Sequence, residues 1–334
     1  MQYFQALYRN YPFTRITQED CFTVYQMAGT DGEGCGEMRC CQVLPGIYLS
    51  YNRLDMRSCY QKMEFPEALL EINHCAEGCY EVTLESGQVC FLGEGDLCIT
   101  APGQTPFHAS RLPLEHYRGI SIVLDPAAAQ QSLQQLLPDI ELDLPQMQQY
   151  FFQWGPTFLI RARAEIDHIF AELYQVDPRI LKTYLILKVV ELLLFLSLNC
   201  EEPQEYLPQF SQAVVAQTKA AHDFLLEAFL QKITVSELSS RFHLAETSLR
   251  ECFKAIYGQP IASFLRAQRM RHGALLLRSA HERSIGEIAR LCGYENQSKF
   301  SAAFQRATGK APLAYRRWAH AAYDDLELKS EETE

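Results

Sequence analysis

Over its first 125 residues the chain alternates between short apolar runs and polar breaks that carry glycine. Phe22-Thr23-Val24-Tyr25, the stretches 46–51, 68–74, 79–84, 96–100 and 118–124 are rich in β-branched and aromatic residues. Glu85-Ser86-Gly87-Gln88 and Gly93-Glu94-Gly95-Asp96 read as turns between them. So many short strands predict a closed barrel or a jelly roll. Beyond residue 125 the apolar spacing turns helical, over 127–137, 161–173 and 178–198. The last of these is apolar on most sides, and such a helix must be covered, either within the subunit or by another one. Lys182, Lys188 and Glu191 interrupt it, which argues against a membrane span. Residues 201–214 are polar, carry Pro203 and Pro208, and read as a linker.

From residue 235 to 318 one pattern occurs twice. Val235-Ser236-Glu237-Leu238 returns as Ile285-Gly286-Glu287-Ile288, 50 residues on. Leu249, Phe253 and Gly258 return as Phe300, Phe304 and Gly309, 51 residues on. The one-residue difference falls at Gly293-Tyr294, where a turn absorbs it. Each copy predicts helix, tight turn, helix. Thr234 and Ser284 each stand three residues before a glutamate, the capping-box spacing, and Gly258 and Gly309 with the prolines after them are stop signals. The pairs Leu249/Phe253 and Phe300/Phe304 share a buried face. The opposite face carries Thr247, Arg250 and Lys254 in the first copy, and Gln297, Ser298, Ser301 and Gln305 in the second. A short helix with an apolar back, a polar front and a tight turn before it suits a DNA major groove.

Charge sharpens this picture. Residues 215–320 hold 16 Lys plus Arg against 8 Asp plus Glu, while the whole chain of 334 residues has a net charge of −11. Positive charge is thus concentrated in the segment with the repeated motif, the electrostatic footprint of a nucleic-acid surface. The last residues, from Asp324, are acidic, lack an apolar pattern and are expected to be disordered.

Residues 284–294, Ser-Ile-Gly-Glu-Ile-Ala-Arg-Leu-Cys-Gly-Tyr, followed by Ser298, Phe300, Phe304, Gly309, Pro312, Tyr315 and Arg316, resemble the DNA-binding domain of the AraC/XylS family of bacterial transcription regulators. Met270, Gly273 and Lys299 depart from the family's usual residues. The resemblance implies an α+β multidomain chain: a cupin-like, ligand-sensing β-barrel over 1–125, a helical dimerisation region over 126–200, the linker 201–214, the double helix-turn-helix domain over 215–320 and an acidic tail over 321–334. Carried over from the family's geometry, Thr247, Arg250 and Glu251 face bases, with Ser248 and Lys254 beside them. Ser298, Ser301 and Ala302 hold the matching places in the second copy. Arg250 could fork onto a guanine, with Glu251 orienting it or accepting from a cytosine amine. The second copy offers mostly small side chains there, so Asn296, Gln297 and Lys299 are assigned to phosphate contacts. The implied partners are a double-stranded DNA operator, a small-molecule effector, a second copy of the chain and, for an activator, RNA polymerase.

The remaining candidate chemistry is sparse. Nine of the 12 cysteines lie between Cys21 and Cys98, but no CxxC pair exists. With no apolar leader opening the chain, a soluble, cytoplasmic protein with free thiols is expected. His74 and His108 lack the HxH spacing of metal cupins and read as core or pocket histidines; no metal, no cofactor and no enzymatic activity are expected. Tyr48, Tyr51, Glu71, Asn73 and His74 are the candidate effector-binding residues. Strand alternation separates Glu71 and Asn73 from His74 without saying which face is inward. The alternatives are a cupin enzyme fused to a DNA-binding module, which would need a His/Glu metal set, and a ligand-independent regulator.

Overall fold

A computed structural model describes residues 13–29, 31–58, 68–84, 86–103, 107–153, 157–198, 208–280 and 282–319. The acidic tail 321–334, residues 201–207 of the expected linker and the side chain of His108 lie outside the described part. The chain divides into two compact units, the first running to Gln212 and also taking Ala255–Gly258, the second made of Ala213–Lys254 and the residues from Gln259 on.

Among the described residues the first unit has eleven strands, all paired antiparallel. They are β1 (Phe13–Glu19), β2 (Phe22–Ala28), β3 (Cys35–Leu44), β4 (Ile47–Asp55), β5 (Leu70–Leu84), β6 (Gln88–Gly93), β7 (Leu97–Thr100), β8 (Phe107–Arg111), β9 (Tyr117–Leu124), β10 (Thr157–Ile160) and β11 (Phe210–Ser211). The order is β1-β2-β3-β4-β9-β5-β6-β11, with β7 bridging β5 and β10, and β8 on β5. This corrects the expected closed barrel: among the described residues the path of strands stays open. The physical reason lies in β5, which changes partners halfway. Its first half pairs with β9 and β7, its second with β6 and β8. The change occurs at an irregularity between Cys75 and Glu77, beside Gly78 at φ 90°. A Cβ at Gly78 would lie 2.1 Å from the carbonyl oxygen of His116, so no other residue fits this bend.

Helices close one face of the sheet in place of further strands. They are α1 (Pro126–Leu136), α2 (Leu144–Phe152), α3 (Ala164–Leu173) and α4 (Leu181–Leu198). Asp125 caps α1 and Asp143 caps α2, each with proline in the first turn. Ile47, Leu49, Ile72, Ile99, Ile120 and Ile122 point from the strands into one core with Phe170, Leu192, Leu193 and Leu196 from the helices. At about 1.5–3 kcal/mol for each fully buried large side chain, this core replaces what barrel closure would have supplied. The helix expected over 161–173 begins only at Ala164. The residues before it pair with β7 as β10, and Arg161 holds the buried Asp96 carboxylate at 2.6 Å. Within α4 the buried Lys188 ammonium is held by Glu172 and Glu191, and the Tyr184 hydroxyl donates to Glu172 at 2.6 Å.

The second unit is helical: α5 (Gln212–Ala228), α6 (Val235–Phe242), α7 (Glu246–Tyr257), α8 (Ile261–Ser279), α9 (Ile285–Leu291) and α10 (Gln297–Thr308), then a further helical stretch over 312–319. Of the stretch read as linker, β11 pairs with β6 and α5 already starts at Gln212.

Candidate nucleic-acid interface

Helices α6 and α7 form the first helix-turn-helix, α9 and α10 the second. Both expected capping boxes are present. The Thr234 hydroxyl accepts from the Glu237 backbone N–H at 3.2 Å, and the Glu237 carboxylate accepts from the Thr234 backbone N–H at 2.7 Å. Ser284 and Glu287 repeat the arrangement at 3.2 and 2.7 Å. These hydrogen bonds hold both glutamates below the usual carboxylate range. The turns differ as the spacing foretold. In the first, His243 takes the left-handed conformation at φ 53°; in the second, Gly293 does at φ 78°, and one more residue separates it from the following helix.

The reading helices sit on their apolar backs. Leu249, Cys252, Phe253 and Ile256 of α7, and Phe300, Ala303 and Phe304 of α10, are buried. Phe300 and Phe304 pack with rings 5.5 Å apart, and Tyr315 lies edge-on to Phe304. Gly273 of α8, one of the departures from the family pattern, lies under this cluster: a Cβ there would fall 3.1 Å from the Phe300 ring. Glycine is what lets α8 approach so closely.

The opposite faces are open to solvent. Thr247, Arg250, Glu251 and Lys254 are exposed on α7, and Ser248 is partly covered. Asn296, Gln297, Ser298, Lys299 and Ala302 are exposed at α10, and Ser301 is half-buried. Two of these side chains have partners within their own helix or its cap. Arg250 is oriented by Glu246, one turn earlier, at 3.2 Å, rather than by Glu251. The Asn296 side-chain oxygen is occupied in capping α10, accepting from the backbone N–H groups of Ser298 and Lys299 at 2.7 and 3.3 Å. Its amide nitrogen, the group that can donate to a phosphate, takes no part in this cap. Sequence reasoning missed Glu246, although its i,i+4 spacing to Arg250 on one helix was a usable signal.

In the first unit the five candidate effector residues do not share a face. Tyr48, Glu71 and Asn73 point to the side of the sheet away from α1–α4. Tyr51 and His74 point into the helical layer. The Tyr51 hydroxyl donates to the Leu173 carbonyl at 2.9 Å. His74 is buried and stacks on Phe170 at 4.0 Å, and burial lowers its pKa to about 4. The buried Cys41 thiol is pushed up to about 12 by desolvation, and Cys40, Cys75 and Cys98 are raised by the same cause; such thiols are inert. Among the described residues no three His, Cys, Asp or Glu side chains converge so as to hold a metal ion, and no helix is long and apolar enough to cross a membrane.

Comparison with known proteins agrees with the geometry of the second unit. The family described as "Helix-turn-helix domain" matches residues 238–317. The transcriptional activator RhaR of Yersinia pseudotuberculosis is 33% identical over 99 residues, 28% of this chain and 34% of the relative. RhaR of Pectobacterium carotovorum is 36% identical over 97 residues, 29% and 31% of the two chains. The chain thus spans about a third of the length of these relatives. The solved C-terminal domain of AraT, a response regulator from Geobacillus stearothermophilus, is 30% identical, with a TM-score of 0.29 over 30% of this chain and 84% of that one. The C-terminal unit is an AraC-type helix-turn-helix domain, and the chain joins it to an antiparallel, sheet-rich N-terminal region.

Proposed function

We propose that the protein is a sequence-specific, DNA-binding transcription regulator of the cytoplasm, controlled by a small molecule bound in its N-terminal region, and not an enzyme. The observation that carries this reading is the pair of capped helix-turn-helix units, each with a solvent-facing polar helix, in the one segment where Lys and Arg outnumber Asp and Glu two to one. Residues 215–320 are the DNA-binding domain, 1–125 the sensor, 126–200 the dimerisation region and 201–214 the connection. Thr247, Ser248, Arg250, Glu251 and Lys254 form the first contact set, with Arg250, aimed by Glu246, reading a guanine. Gln297, Ser298, Lys299, Ser301 and Ala302, with the Asn296 amide, form the second, weighted toward phosphate. The connecting helix α8, about 28 Å long at 1.5 Å per residue, holds the two reading helices apart. One subunit then meets two successive major-groove segments about 34 Å apart on one face of the duplex. Because the two contact sets differ, the site read by one subunit is not a palindrome. Tyr48, Glu71 and Asn73 remain as effector residues.

Footprinting of the full chain on an operator selected from random DNA tests this. Protection of two groove segments per subunit, with sharper base preference at the one next to α7, is the expected result. A single short palindrome touched by one helix per subunit contradicts it.

A further inference from the structure

The chain leaves α5 at Ala228 through a turn in which the Gln231 N–H donates to the Ala228 carbonyl at 2.9 Å. The carbonyls of this turn have no helix to continue into. They are met from two directions. Arg269 of α8 donates from Nε to the Phe229 carbonyl at 2.7 Å and from Nη2 to the Gln231 carbonyl at 2.9 Å, across 40 and 38 residues of chain. The Leu230 carbonyl, between these two, faces Gly293, the left-handed residue in the turn of the second helix-turn-helix. A Cβ on Gly293 would lie 3.0 Å from that oxygen and 3.5 Å from Arg269 Nε. His272 of α8 packs edge-on to the Phe229 ring at 5.5 Å. A single turn thus touches the connecting helix and the second helix-turn-helix together.

The same turn is tied to the first copy through α5. Phe224 packs on Phe242 of α6 with rings 6.0 Å apart, and His222 on Phe253 of α7 at 6.1 Å. We propose that Arg269 is a positioning residue: it locks the two helix-turn-helix units at one separation, and so makes the spacing between the two base-pair elements of the operator part of what the protein recognises. This rests on the reading of both units as DNA-binding and adds a determinant that touches no base. A connecting helix alone is pinned to each unit along one side and lets them rock about it. Arg269 adds a second joint away from that axis. Its guanidinium offers two donors at a fixed angle, which suits two carbonyls held by one turn, and its charge suits the negative end of α5. Lysine at this position keeps the charge but has no fork. The tolerance is narrow, because one base pair moves an element by about 3.4 Å and turns it by about a tenth of a helical turn.

The test uses the full chain and has two arms. In the first, an operator selected from random DNA is remade with one or two base pairs added or removed between its two elements. The wild type should lose about tenfold or more in affinity for each altered spacing, the loss of one element's base contacts. Arg269→Ala should bind the best-spaced operator more weakly than the wild type does, yet vary by less than about threefold across the spacings, and Arg269→Lys should lie between. A residue that only stabilised the domain would weaken binding to every spacing by the same factor. The second arm needs no DNA. Spin-labelled noncanonical residues replace Lys254 of α7 and Gln305 of α10, both exposed, and the labelled chain is diluted with unlabelled protein. The distance distribution between the labels should be narrow with Arg269 and broad in Arg269→Ala. A wild-type spacing ratio or an unchanged distribution in Arg269→Ala overturns the proposal; should that variant melt below the assay temperature, the same results in Arg269→Lys overturn it. Operator binding with an unchanged spacing ratio sinks only the role of Arg269. A wild type that binds no selected operator, with the distance arm as expected, overturns the regulator reading and the spacing claim with it.

Discussion

His74 shows how one residue's surroundings set a measurable property. Its ring is stacked against Phe170 and neither nitrogen has a partner, so the imidazolium form finds nothing to replace its hydration. The folded-state pKa of about 4 lies below the ordinary value near 6.5. The unfolded chain therefore binds the proton more readily, and the stability contributed by neutral His74 is fully present above pH 6.5. It is lost as pH falls toward 4, by on the order of 3 kcal/mol. His74→Phe keeps the stacking and removes the titration. Denaturant melts at pH 7 and 4.5 should show the variant losing less stability than the wild type over that interval; equal losses would mean that another group governs acid sensitivity. At the DNA face, Arg250→Ala should cost about 1–3 kcal/mol at one base pair of the operator. Glu246→Ala frees Arg250 from its ion pair, so affinity for random DNA should rise while discrimination at that base pair falls. Competition binding with a single-base operator series reads both effects.

At the scale of elements, the repeated motif was legible because its signals are local. A Thr or Ser three residues before Glu, an apolar pair four apart and a glycine stop each act within one or two turns of helix, and all of them stand where the spacing put them. Thr234→Ala and Ser284→Ala should each lower stability by about 1 kcal/mol. His243→Gly should raise it by several tenths of a kcal/mol or more, since a side chain at φ 53° is strained where the second copy uses Gly293. Thermal melts of residues 213–319 measure all three. The N-terminal region was legible only in part. The strands around Ile47, Ile72 and Ile120 announce themselves by alternation, but β3 carries Glu37 and Arg39 between its apolar positions and β10 is four residues long. The open sheet was not legible at all. It follows from the bend at Gly78 and from helices that supply the missing wall, and both are long-range facts. Gly78→Ala should therefore destabilise the first unit by more than about 2 kcal/mol, because its Cβ meets backbone that cannot rotate away. The two sides on which the effector candidates lie were hidden for the same reason: period 2 separates the two faces of β5, but only packing says which face receives the helices.

For the whole molecule, the open question in the sequence was what covers α4. The structure divides the answer. Leu185, Val189, Leu192, Leu193 and Leu196 are buried within the unit, while Leu187 at 61%, Leu194 at 40% and Leu198 at 78% exposure line the other side. Spacings of seven and four residues place these three on one stripe, the pattern of a helix that meets a second helix. On the proposed reading of 126–200 as the dimerisation region, a second copy of the chain would cover this stripe, and two subunits would bring four reading helices to one operator. Joining two DNA-binding units makes the second contact intramolecular and can raise affinity by about 10²–10⁴-fold over a single unit. Leu187→Glu combined with Leu194→Glu places like charges on the stripe without touching either the sheet core or the DNA face. Sedimentation should show the wild type as a dimer and the double variant as a monomer. On a doubled operator the variant should lose on the order of 10²-fold in affinity, while on a single half-operator the two proteins should bind alike. A wild type that sediments as a monomer at tens of micromolar, or a double variant that weakens half-operator binding equally, would show that the stripe has another role.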